Sequence, residues 1–353
     1  MRTRNNRNDG VKKKQLFPAA VVLSVVAALS VFAFDALLDP REEAPDRTIE
    51  TGPPVTTPAL PSEPGDGDGY NGDADSDSDH RADGHSGNGG FPVTIHSAGQ
   101  LNLPADIVSP YPPDFGSPFD ANGNLSNERL GWYFNRDANH QPPTAQRRFD
   151  IRTLNGHYLG DISQKVVYLT FDEGYEYGFT EQILDTLAEK NARAAFFVTL
   201  PYVKSQPELT RRMIEEGHIV ANHSANHKSS PDLTDDAFEF EIKELERYFE
   251  ENFHAEMGRF FRPPMGEYSA RTLALADNLG YATIFWSFAY QDWLVDDQPG
   301  ADVAYQTVMN NLHNGMIILL HAVSESNAQA LPAIIDSVRE QGYRFGILSE
   351  PQR

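Results

Sequence analysis

Two adjacent carboxylates, Asp172 and Glu173, end an apolar run. Val166–Phe171 has the β-branched and aromatic make-up of a buried strand, and Gly174 follows the acids just before a helical pattern. In α/β folds ligands bind at the carboxyl ends of strands. Two acids placed there suit hydrolysis, one as general base and one as metal ligand; a solvated turn is the plainer alternative. His223 and His227 stand four residues apart behind a second short apolar run, Ile219–Asn222. One helical turn or a tight loop brings both imidazoles to one divalent ion. In a chain with eleven histidines such a pair can equally be solvated or part of the core. The His-Glu-x-x-His signature of zinc proteases is absent.

Three further places carry chemistry-bearing side chains. Phe260-Phe261-Arg262-Pro263-Pro264-Met265-Gly266 puts an arginine at a strand end and fixes the next residues with two prolines and a glycine. Such a turn can hold the guanidinium against a carboxylate, or aim a backbone N–H at a developing oxyanion. Asp292 beside Trp293 can orient a histidine while the indole walls a sugar pocket. Met316–Leu320 reads as a buried strand ending in His321, a general acid if a carboxylate tunes it.

The elements that must position these residues are regular from about residue 161. Strands are expected at 166–171, 194–198, 219–222, 260–262, 282–286, 316–320 and 343–347. Helices are expected at 180–190, 207–216, 235–251, 270–278, 302–312 and 327–340, with Gly217, Gly280 and Gly342 at helix ends. Seven strands alternating with helices make an α/β fold, either a parallel barrel or an open doubly wound sheet. The ends near Asp172, His223, Arg262, Trp286 and His321 then crowd one rim.

The rest of the 353 residues sorts by composition. Residues 1–15 are a basic segment, placed in the cytoplasm. Leu16–Phe34 is a nineteen-residue run without a charge, long enough for one membrane-spanning helix. We expect a transmembrane anchor over 16–38 rather than a cleaved signal peptide, with the remainder outside. Residues 39–90, rich in Pro, Gly, Asp and Ser, read as a disordered tether. Residues 91–160 read as a lead-in packed on a catalytic domain at 161–353, with Leu130–Phe134 a strand or packing patch. Of the net charge of −22, residues 91–353 hold −16, which disfavours nucleic acid as a partner. The chain has no cysteine, which excludes disulfides and thiol nucleophiles.

Taken in order, Thr170-Phe171-Asp172-Glu173-Gly174, His223-Ser224-Ala225-Asn226-His227, Arg262-Pro263-Pro264-Met265-Gly266, Asp292-Trp293 and Leu319-Leu320-His321 resemble the five motifs of the NodB-type polysaccharide deacetylases, carbohydrate esterase family 4. Phe171–Glu176, Leu319–Ser324, and Trp132-Tyr133-Phe134 with Asn139–Pro143 look like the branch that de-N-acetylates spore peptidoglycan in delta-lactam formation. The resemblance implies a distorted (β/α) barrel and hydrolysis of N-acetyl groups on peptidoglycan strands, muramic acid included, by a monomer. It implies Asp172 as base, Arg262 as its holder, His321 as acid and Asp292 as its partner. It further implies His223, His227 and Glu173 as ligands of a divalent metal (zinc first, then cobalt, manganese or magnesium). Trp293, Leu319, Pro264 and Met265 would contact substrate, the Met265 backbone N–H facing the oxyanion. Two positions depart from the family: Glu173 stands where a second Asp is usual, and Met265 where an aromatic is common. Deacetylation of a chitin-like or xylan chain, and a non-catalytic wall-binding role, are the competing expectations.

Overall fold

The computed structural model describes residues 94–96 and 108–348, apart from residues 113, 138 and 147. The anchor and tether expected over 16–38 and 39–90 lie outside the described residues. Among the described residues, no helix is long and apolar enough to cross a membrane.

The lead-in contributes short strands β1 (Leu130–Gly131), β2 (Phe134–Asn135), β3 (Thr144–Ala145) and β4 (Gly156–His157). Then come β5 (Val166–Glu173), α1 (Thr180–Glu189), β6 (Ala194–Val198), α2 (Leu200–Ser205), α3 (Pro207–Glu215), β7 (Ile219–Asn222) and α4 (Asp235–Phe253). The chain continues through β8 (Gly258–Phe261), β9 (Glu267–Tyr268), α5 (Ala270–Asn278), β10 (Ala282–Ile284), α6 (Ala301–Met309), β11 (Met316–His321), α7 (Glu325–Glu340) and β12 (Arg344–Gly346).

The main sheet is parallel throughout, in the order β11-β5-β6-β7-β8-β10-β4, with β12 also pairing β5. It curls on itself. The chain beyond β10 forms a parallel bridge between Phe288 and Ile318, so the β10 side returns to β11. Leu159 beyond β4 bridges Met316 antiparallel. The result is the distorted (β/α) barrel, with a seven-strand curled sheet as its frame.

Alternation along the strands assigns the faces. Val167, Leu169 and Phe171 of β5 pack into the large cluster between sheet and helices, together with Ile183, Leu187, Leu331 and Ile334. Tyr168 joins Phe197, Ala221, Phe260, Ile284 and Ile317 in the smaller cluster inside the curl. Helix starts follow local chemistry: Thr199, Thr234, Ser269 and Ser324 each accept a backbone N–H from the first turn of α2, α4, α5 and α7.

Several elements differ from the sequence expectation, and β4 of the lead-in joins the main sheet. The segment Leu200–Ser205 is a separate helix, because Thr199 caps it and Pro207 starts the next one. Leu130–Phe134 is two short strands broken at Trp132-Tyr133. The strand expected to reach Trp286 stops at Ile284, where the chain turns towards β11.

Candidate active site

The carboxyl ends of β5, β7, β8 and β11, with the segment after β10, meet on one rim. Asp172 is the Cα register partner of His321 across β5 and β11, and of Phe197 across β5 and β6. By alternation Asp172 shares the inner face of Tyr168 and Thr170. There it is 7 % exposed, yet it is not isolated. Arg262, fully buried, donates from Nη1 to Asp172 Oδ1 at 2.7 Å, from Nη2 to Thr170 Oγ1 at 2.9 Å and from Nε to the Ile284 carbonyl at 3.1 Å. Its guanidinium carbon lies 4.0 Å from the Phe197 ring centroid. Burial acts to raise the Asp172 pKa, but the charges of Arg262, His223 and His321 outweigh it and hold the carboxyl below its usual range.

His223 follows β7 and shares the inner face with Ala221. Its Nδ1–H donates to the Arg262 carbonyl at 2.8 Å, which leaves Nε2 as the lone-pair nitrogen, 3.6 Å from Asp172 Oδ2. Burial, with the nearby His227 and Arg262 charges, pushes its pKa down to about 4. The ring is therefore neutral at ordinary pH, the form that binds a metal. His227 lies at positive φ (54°), its ring centroid 4.8 Å from that of His223, and burial lowers its pKa too. Two neutral imidazoles, one with its tautomer fixed by a backbone carbonyl, fit a divalent ion. Among the described residues no group of three or more His, Asp or Glu side chains completes such a cluster.

Glu173 is not brought to the pair. Strand alternation turns it to the helix side of β5, opposite the inner face that carries Asp172 and His223. It is fully buried, and neither carboxylate oxygen has a hydrogen-bond partner. Burial, reinforced by the charges of Glu176 and Asp172, drives its pKa well above the usual carboxylate value. Glu173 thus faces the helix layer, apart from the His223 and His227 rings.

His321 ends β11. Its Nδ1 pairs with Asp292 Oδ1 at 2.7 Å, and its backbone N–H donates to Asp292 Oδ2 at 2.9 Å. Burial acts to lower its pKa, but Asp292, aided by Asp172, outweighs this and raises it. Nε2 is the nitrogen left to exchange a proton at the rim. Trp293, 47 % exposed, sets its ring 5.5 Å from the His321 ring. Leu319 is buried on the inner face of β11. Pro264 is buried, while Met265 is at positive φ (58°) and 58 % exposed.

The lead-in supports this rim in a way the sequence did not make legible. Trp132 stacks on Phe285 with centroids 4.4 Å apart, and its indole N–H donates to the Trp286 carbonyl at 2.9 Å. Its backbone N–H donates to the Gly266 carbonyl at 2.9 Å. A Cβ on Gly266 (φ +67°) would lie 2.9 Å from Trp286 and 3.2 Å from Trp132, so the turn after Arg262 requires glycine there. Asn327 and Gln298, which bond the Asp292 segment, were also missed. Neither belongs to a spacing pattern that marks it in the sequence.

A polysaccharide deacetylase family model matches residues 160–284. An uncharacterised Geobacillus stearothermophilus protein is 43 % identical over 228 residues, covering 64 % of this chain and 86 % of its own. The Bacillus subtilis peptidoglycan-N-acetylmuramic acid deacetylase PdaA is 42 % identical over 226 residues, 63 % of this chain and 85 % of that protein. The solved structure of PdaA, a family 4 carbohydrate esterase, superposes with a TM-score of 0.61 at 39 % identity, over 63 % of this chain and 95 % of that one. On these similarities the chain belongs to the polysaccharide deacetylase family and is a hydrolase of the family 4 carbohydrate esterase type.

Proposed function

We propose that this protein hydrolyses N-acetyl groups on the amino sugars of peptidoglycan, with muramic acid as the sugar acted on. One observation carries the reading. Asp172 and His321 are register partners on neighbouring strands, each with its own buried partner, and their pKa values are driven in opposite directions. That is the arrangement a base and an acid need to coexist at one pH. The choice of peptidoglycan and muramic acid is supported by the name and 42 % identity of PdaA.

In this reading Asp172 accepts a proton from the attacking water as its oxygen adds to the acetyl carbonyl. Arg262 keeps Asp172 aimed and ionised. His321, as imidazolium held by Asp292, gives its Nε2 proton to the sugar nitrogen as the amide C–N bond breaks, so acetate and a free amine result. His223 and His227 would hold a divalent metal, zinc being the first choice. When bound, such an ion would supply Lewis acidity and lower the pKa of water. The Met265 backbone N–H faces the developing oxyanion, and Trp293, Leu319 and Pro264 wall the acetyl and sugar. The segment 16–38, built on the charge-free run Leu16–Phe34, anchors the chain in the cell membrane, with the catalytic domain outside.

The test is acetate release by the full-length chain, with metal supplied, from purified peptidoglycan and from chitin oligomers side by side. Release from peptidoglycan in excess supports the reading. Release confined to chitin oligomers moves the substrate to that class, and glycan binding without acetate release leaves a wall-binding protein.

A further inference from the structure

Asp292 lies outside regular secondary structure and is 1 % exposed, so its alignment depends on donors supplied to it. Two come from His321 itself. The third comes from Asn327, also 1 % exposed, in the first turn of α7. Asn327 Nδ2 donates to Asp292 Oδ2 at 2.6 Å and to the His321 carbonyl at 3.3 Å. At the other end of the amide, Asn327 Oδ1 accepts the Tyr290 hydroxyl. A rotated amide would set Oδ1 against the Asp292 carboxylate, so the tyrosine and the aspartate together fix which way Asn327 points. The helix start is fixed as well. Ser324 Oγ accepts the Asn327 backbone N–H at 3.2 Å and donates to Gln298 Oε1 at 2.7 Å. Gln298 Nε2 in turn donates to the Asp292 carbonyl at 3.0 Å. Backbone and carboxylate of Asp292 are thus both tied to the first turn of α7.

We propose that Asn327 is the positioning residue that keeps the Asp292 carboxylate aligned on His321 Nδ1. The inference rests on the acid role given to His321 under the proposed function. A carboxylate held in line with Nδ1 by its other donors favours the protonated imidazole, and removing the amide donor loosens that alignment. The other charges facing His321 are Asp172 on β5, Arg262 after β8 and His227 after β7, with the Trp293 ring beside it. None of them touches Asn327, so its removal acts through Asp292.

The experiment follows the His321 imidazole by NMR titration in the full-length chain carrying isotope-labelled histidine, comparing the parent, Asn327→Leu and Tyr290→Phe, with His321→Ala to assign the signal. For Asn327→Leu the His321 titration midpoint should fall by about one pH unit. The alkaline limb of kcat/KM should move with it, and kcat at alkaline pH should drop about tenfold with KM within about twofold, since a hydrogen bond to a charged group contributes that much. Tyr290→Phe should move both in the same direction by less. Midpoints coincident with the parent in both variants overturn the proposal. If Asn327→Leu does not fold, Tyr290→Phe alone decides between the two outcomes. The titration needs no substrate, so a parent that releases no acetate leaves this measurement intact and fails only the functional reading.

Discussion

Arg262 reaches from the end of β8 to Asp172 at the end of β5 and directs its remaining donors to Thr170 and the Ile284 carbonyl. One buried guanidinium therefore ties three strands of the barrel and the candidate base into a single unit. Arg262→Ala leaves the buried Asp172 without its main counter-charge and should cost about 3–5 kcal/mol. Arg262→Lys keeps the charge but cannot serve three acceptors in one plane. It should recover part of the stability and little of the activity. Urea unfolding and acetate release, measured on both variants, check this.

The pH profile follows from the two opposed shifts. Asp172 must be ionised, and its pKa lies below the usual carboxylate value, so the acid limb falls in that low range. His321 must be protonated, and its pKa lies above the usual imidazole value, so the alkaline limb lies above about 6.5. Asp292→Asn removes the largest opposing charge and should bring the alkaline limb down, leaving the acid limb where it was. An unmoved alkaline limb in a kcat/KM profile would separate His321 from the acid role.

Stability should fall on acidification before the carboxylates titrate. His313 is 3 % exposed, bonded to the Asn311 carbonyl and to Ser287 Oγ, and burial pushes its pKa down to about 4. A folded-state value below the unfolded one of about 6.5 means that the unfolded chain binds the proton first. The contribution is complete above pH ~6.5 and is lost as pH falls towards 4, on the order of 3 kcal/mol. His313→Gln should flatten that part of the stability-against-pH curve, read by chemical denaturation.

Glu173 and the histidine pair make opposite predictions for metal binding. Glu173 is turned to the helix side without a hydrogen-bond partner, and burial raises its pKa. Its neutral isostere, Glu173→Gln, should therefore keep metal affinity within about threefold of the parent. His223→Ala should lose most of it if the proposed pair binds the ion, each imidazole then being a principal ligand. Calorimetric titration with zinc on both variants decides this; a large loss in Glu173→Gln would return that residue to the ligand set.

Much of this site was legible in the sequence because each element announces its end. The β-branched runs stop at Asp172, Asn222 and His321, and glycines and prolines punctuate the turns beyond them, so the sequence itself points to a common rim. The side of the strand was harder to read. Asp172 and Glu173 are neighbours of like chemistry, and period-two alternation sends them to opposite faces. That separates an Arg-paired base from a buried acid with no partner. The lead-in was least legible. Trp132 acts through a 4.4 Å stack on Phe285 and two hydrogen bonds to loops more than 130 residues later, and no local pattern encodes such contacts. Trp132→Ala should cost about 3–5 kcal/mol and lower kcat as well, by releasing the turn after Arg262. Thermal unfolding together with single-turnover kinetics reads both effects.

The central claim is tested most directly by mass spectrometry of peptidoglycan treated with the full-length chain and divalent metal, then digested to disaccharide fragments. The account predicts fragments lighter by one acetyl group, the loss residing on muramic acid, and none from His321→Ala. Treated peptidoglycan whose amino sugars all keep their acetyl groups would contradict it.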